Sequence, residues 1–265
     1  MARSRPLLPA LAVVVLLTPA AGRAADMSAR EVTERLVAAD PARPVDLSGK
    51  DLARLDLSGL DFKRALLARA DLFGADLTGS DLTRSDLSEA KLDRAVLIGV
   101  RLDHAKLARA SLLRPSAFST LGAPASEAPS LVGADLSEAR IFGRLNRANL
   151  AGANLRQATM APFGKTGFIE HIWRTELLGA NLEGADLTRA DMTHALLRYA
   201  NLRGARMAGV VLTSADLSGA DLSGADLTGA DLTDADLEGA ILTGVTGLDQ
   251  TLGMAAARNA AKAVR

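Results

Sequence analysis

The stretch ADLSGADLSGADLTGADLTDADLEGA, residues 215–240, is a single five-residue phrase repeated without a gap: Ala, Asp, Leu, then Ser, Thr or Glu, then Gly or Asp. Working outward, the same beat runs from Thr175 to Val245, centred on Leu177, Leu182, Leu187, Met192, Leu197, Leu202, Met207 and every fifth residue to Leu242. It is met again from Val45 to Pro115, where the centres run from Leu47 through Phe62 to Leu112. A period of five fits neither a helix nor a strand, so the chain must turn a corner in every module. Four modules with four corners close a square coil of 20 residues. The central apolar residue and the small residue two before it face inward, and the other three positions face out. Such coils stack through main-chain hydrogen bonds at about 4.8 Å, which makes the chain a solenoid.

From Val45 to Val245, with two interruptions, the modules meet the motif A(D/N)LXX, and in this the chain resembles the pentapeptide repeat family. The resemblance implies an all-β fold, a right-handed quadrilateral parallel β-helix. The motif is specific for fold and says almost nothing about function. Composition agrees: only eight residues are aromatic, and a narrow tube filled by Leu and Ala has little use for rings.

The ends of such a rod need covers, because an end coil exposes unpaired strand edges. Residues 26–44 leave the period, and Ser28 with Glu31 has the spacing of a capping box ahead of Val32, Leu36 and Val37. An N-terminal capping helix is therefore expected. The first coil carries Lys50, Leu55 and Leu60 where later coils carry Ala, so it is wider and packs beneath that helix. Residues 246–265 are Ala-rich with Arg258 and Lys262 late, and read as a C-terminal capping helix. Residues 1–25 carry Arg3 and Arg5, an apolar run from Leu7 to Leu17 and small residues from Ala20 to Ala25. That is the pattern of a secretory signal, with cleavage after Gly22 or Ala24, and it predicts a periplasmic or secreted protein without stable membrane insertion. There is no cysteine, so neither disulfides nor a lipid-bearing thiol enters the argument.

Two loops are expected inside the repeat domain, at 116–133 with Pro124 and Pro129, and at 161–174, reading APFGKTGFIEHIWR. Between them the beat resumes at Leu136 and Ile141, slips by one residue, and continues at Leu145, which implies a bulge or a tightened corner. Counting centres gives 34 modules, or about eight and a half coils.

Regular coils repeat and these loops do not, so the loops are the natural place for binding chemistry. Phe163, Phe168, His171 and Trp173 of the second loop are candidate partner contacts. Three of them fall five apart, which equally fits a degenerate continuation of the period that only covers the coil. A second candidate is the outward acidic series Asp216, Asp221, Asp226, Asp231 and Asp236, which suits cations or a basic partner; its simpler reading is a solvated surface. The first repeat block has 12 basic against 11 acidic residues, and the second has 4 against 11. Stacking at 20 residues puts Arg64, Arg84 and His104 on one corner, but Asp61, Asp81 and Asp103 share the face, which argues against nucleic acid. Gly164, Lys165 and Thr166 lack the rest of a phosphate loop, His104, His171 and His194 lack ligand spacing, and no nucleophile pairs with a base. No catalytic, cofactor or metal residue is assigned.

These readings favour a non-catalytic exported scaffold that binds another macromolecule, a protein before a nucleic acid. The alternative, which the resemblance brings in, is a DNA-mimicking inhibitor of type II topoisomerases that protects against quinolones. Such inhibitors act in the cytoplasm with strongly acidic surfaces, whereas this chain is neutral overall and carries an export pattern. An enzyme is the third and weakest reading. The resemblance also makes a homodimer through a terminal coil compatible with the chain.

Overall fold

The computed structural model describes residues 25–40, 42–62, 64–118, 124–162 and 174–265. Each module uses every one of its five residues. In the module from Ala220 to Gly224, the Leu222 N–H donates to the carbonyl of Ile241 one coil further on, at 2.8 Å, and the Asp221 N–H donates to Ala200 one coil back, at 2.9 Å. The Ala225 N–H then donates to the Leu222 carbonyl at 2.9 Å, closing a tight turn whose third residue, Gly224, has φ +68°. A left-handed third position is the mark of a type II turn. Asp221 Oδ1 accepts from both the amide and the hydroxyl of Ser223, locking the turn from outside. Leu222 and Ala225 end fully buried.

Repeated along the chain, this unit gives four parallel ladders. One of them starts at Asp46 and passes through Leu66, Asp86, Lys106, Asp135, Asn154, Asp186, Arg206 and Asp226 to Thr246, ten levels in all. The rod is therefore longer than the eight and a half coils counted from the centres, because Ser116 and Ser130 of the first interruption and four positions of the C-terminal segment also join the ladders. Its core is a single column of Leu with Ala at the corners, and Phe62 is the one aromatic ring fully buried in it among the described residues.

At the N-terminus, α1 spans Ala29–Val37 and is closed by the Ser28 and Glu31 capping box, with Val32 and Leu36 buried against the first coil. Leu55 and Leu60 pack there too. Asp26 stands in for the missing earlier coil. Its N–H donates to the Asp51 carbonyl at 2.8 Å, and its carboxylate accepts from the Asp51 N–H at 2.9 Å. An edge that would otherwise template aggregation is thus paired within the chain at this side.

The C-terminal segment corrects the expectation of a helix over 246–265. It is one more coil, built on six residues per side: Thr246, Leu252, Arg258 and Val264 bridge to Asp226, Asp231, Asp236 and Ile241. Three single 3-10 turns, Leu248–Gln250, Met254–Ala256 and Ala260–Lys262, form its corners. Gly247, Gly253 and Asn259 precede them with φ of +70°, +69° and +56°, and a left-handed residue every sixth position breaks any α-helix. A Cβ on Gly247 or Gly253 would lie 2.5 Å from the Cα of Thr228 or Thr233, so both must be glycine.

The first loop is narrower than 116–133. Ser116 still bridges to Val96, the Glu127 carbonyl already accepts from Gly99, and Ser130 bridges to Arg101 with Leu131 buried as a centre. The slip after Ile141 is a tightened corner. Strands β1 (Ser111–Leu113) and β2 (Arg140–Phe142) pair in parallel, and Gly143, φ +143°, passes 3.0 Å from Arg114 Cα at the place a Cβ would occupy.

Candidate interaction surfaces

Asp216, Asp221, Asp226 and Asp231 lie on four different sides of the coil, and only Asp236 returns to a side already used, bridging to Asp216. The structure therefore does not gather the five into one patch. Each also has structural work. In every case Oδ1 accepts from the amide two residues on, at 2.9–3.1 Å. The second oxygen is engaged as well in most: Arg203 reaches Asp221 at 3.0 Å, the Thr213 hydroxyl reaches Asp231 at 3.2 Å, and Arg258 stands 3.8 Å from Asp236. Hydroxyl hydrogen bonds from Ser223, Thr228 and Thr233, before any other cause, hold the carboxyls of Asp221, Asp226 and Asp231 below the ordinary value. These carboxylates hold corners.

Phe163, Phe168, His171 and Trp173 lie outside the described residues. The rim they spring from is well fixed: the buried Thr175 hydroxyl donates to the Met160 carbonyl at 2.6 Å and lies 3.3 Å from that of Ile141.

Two features escaped the sequence reading. Asp186 is nearly buried, with Arg156 at 3.2 Å from the coil before and Arg206 at 3.0 Å from the coil after. Burial opposes its ionisation, yet hydrogen bonds from the Thr188 hydroxyl and amide and from Arg156, with the Arg206 charge, outweigh it and lower the pKa to about 2. Reading the sequence at offsets of 20 and 30 would have found this pair of partners, but the second offset depends on how many residues stand between Met160 and Thr175. The other missed feature is what occupies the left-handed corners. From Gly204 to Gly244 these are mostly glycine, whereas in the first five coils they are Arg54, Arg64, Arg69, Arg84, Arg94, His104, Arg109 and Arg114 among others, all with φ between +55° and +65°. Glu89 pairs with Arg109 at 2.8 Å, Arg101 with Asp81 at 3.2 Å and Lys91 with Asp71 at 3.5 Å. On another corner Arg54 and Arg94 both face the Phe73 ring, at 5.9 and 5.7 Å from its centre.

No group of three metal-ligating side chains occurs among the described residues, and no helix among them is long and apolar enough to cross a membrane. A coil of four five-residue sides with a Leu column defines the class of fold. The family pattern described as pentapeptide repeats matches residues 46–84, 75–112, 175–213 and 205–244, and the chain belongs to that family. Among solved structures it is 30% identical to HetL, a pentapeptide repeat protein involved in heterocyst differentiation regulation in Nostoc sp. strain PCC 7120, over 90% of this chain and 94% of that one, at a TM-score of 0.38. A trypsin-treated QnrB1, a plasmid-mediated fluoroquinolone resistance protein, is 18% identical over 79% of this chain and 88% of its own, at 0.46. A pentapeptide repeat protein of the Arabidopsis thaliana thylakoid lumen is 25% identical over 58% and 73%, at 0.27. No curated protein matches the chain.

Proposed function

We propose that this protein is a non-catalytic scaffold, exported from the cell that makes it, which binds a partner protein along the outside of a right-handed quadrilateral coil. The carrying observation is the division of labour within the module. Inward positions are filled by Leu and Ala, and the outward aspartates are bound into turns, which leaves the variable corners and the loops to distinguish this rod from any other. The reading of a DNA-mimicking topoisomerase inhibitor gains nothing here, because the acidic side chains of the later coils are tied to turns and arginines rather than laid out as a free anionic track. At the C-terminal end Leu252 and Val264 are more than half exposed, which gives a second copy an apolar surface to meet.

The test is affinity capture from periplasmic extract with the intact protein and with a variant lacking residues 163–173, together with N-terminal sequencing of the recovered protein. A start at Arg23 or Ala25 and a stoichiometric captured protein support the reading. Retention of residues 1–22, or no captured protein with either form, sinks it.

A further inference from the structure

Glycine is the residue a left-handed corner prefers, since a Cβ there costs of order 1 kcal/mol. The later coils mostly follow that preference, and the first coils repeatedly do not. Most conspicuous is the corner that carries Arg54, Gly74, Arg94 and Arg114 on successive levels. At the second level the side chain is absent. Arg54 lies across Gly74, its Cγ within 3.6 Å of where a Cβ would stand, and Phe73 fills the space so that its ring sits between the Arg54 and Arg94 guanidiniums. Both arginines are exposed, and neither makes an ion pair among the described residues. Their neighbours are already committed: Asp51 accepts from Ala53, Asp71 accepts from Phe73 and pairs with Lys91 at 3.5 Å, and Asp93 accepts from the Ser111 hydroxyl and the Leu113 amide.

We infer that the Arg54, Phe73 and Arg94 corner is the docking surface for a protein segment that presents discrete carboxylates beside apolar side chains; this rests on the scaffold reading above and deepens it. The kind of partner follows from what lies between the arginines. Asp51, Asp71 and Asp93 line the adjoining face and repel a continuous polyanion, so a nucleic-acid backbone or an anionic membrane fits poorly. Separate carboxylates reach the guanidiniums and avoid the aspartates. Phe73 and half-buried Leu113 supply the apolar contact, and aromatic residues with Arg are the side chains over-represented where protein interfaces hold most of their energy.

The experiment uses the full chain against an array of short synthetic peptides in which Glu alternates with Leu or Phe, each beside its Glu→Gln counterpart, and against duplex DNA and phosphatidylglycerol vesicles. The expected result is binding of the carboxylate peptides over their amide counterparts, weakened at least about tenfold in the double variant Arg54→Gly, Arg94→Gly. That variant suits the left-handed backbone, so its melting temperature is expected to be unchanged or raised, which separates lost binding from lost folding. Arg64→Gly with Arg84→Gly, on the opposite corner, is expected to bind as the parent does. The inference is overturned by equal binding of Glu and Gln peptides, by tighter binding of DNA or vesicles, or by indifference to the Arg54 and Arg94 changes. If the double variant still captures the parent's partner from extract, the corner is wrong and the scaffold stands; if no form captures anything, the scaffold itself falls.

Discussion

A single aspartate shows how much one outward residue carries in this fold. Asp186 is held between Arg156 and Arg206 and by Thr188, and its pKa of about 2 lies below the ordinary aspartate value. A depressed folded-state pKa contributes stability that is fully present above the unfolded value near 4 and is lost as pH falls toward 2. The shift corresponds to about 2 kcal/mol. Asp186→Asn is therefore expected to lower stability by roughly that amount at pH 7, with the gap to the parent closing between about pH 4 and pH 2 in denaturant titrations. An inward residue carries more. Leu222→Ala opens a hole in a column that has no second layer to collapse, at a cost of about 2–5 kcal/mol, while Ser223→Ala loses one turn hydrogen bond and costs about 1 kcal/mol or less. Melting of the two variants side by side checks the ordering. The inward Leu and Ala were legible from period alone, and Arg206 stands one 20-residue coil from Asp186, but Arg156 was not legible as a partner, because the number of residues that break the period between them sets the offset.

At the level of the element, the widened last coil is where local chemistry overrode composition. Ala255, Ala256, Ala257, Ala260 and Ala261 favour a helix by propensity. Glycine or asparagine at every sixth position, and the open N–H and C=O groups of the coil beneath, favour a six-residue side instead. Gly247→Ala and Gly253→Ala each force a Cβ into the backbone of the preceding coil, where Gly229→Ala meets nothing within 4 Å and pays only for its dihedral angle. The first two are expected to destabilise by about 2 kcal/mol or more and the third by about 1 kcal/mol, with hydrogen exchange of the Leu232 and Leu242 amides rising selectively in the first two. The spacing of Gly247, Gly253 and Asn259 was a readable signal for this coil. By contrast, the N-terminal cap could be read directly, because a capping box is contiguous in sequence and needs no register.

Across the described residues, stability is a sum of nearly identical coils, with special arrangements at the two ends. That regularity makes the fold legible and the function hard to read. The five-residue beat announces the square coil, but the same beat says nothing of the corners, where the first block invests arginines and the second glycines. The candidate aspartates looked like a site because they recur, and they recur because each ties a turn. The chain contains no cysteine, so paired cysteines report coil geometry without interference. The decisive measurement is disulfide formation between Thr213→Cys and a second cysteine placed at Thr228, Thr233 or Glu238. Backbone atoms of Thr233 lie one level beyond those of Thr213, where Ser214 donates to the Thr233 carbonyl at 2.8 Å, and adjacent levels are close enough for a bridge. The four-sided coil predicts rapid, near-complete oxidation for the pair with Thr233 alone; preferential bridging to Thr228 or Glu238, or to none of the three, would contradict it.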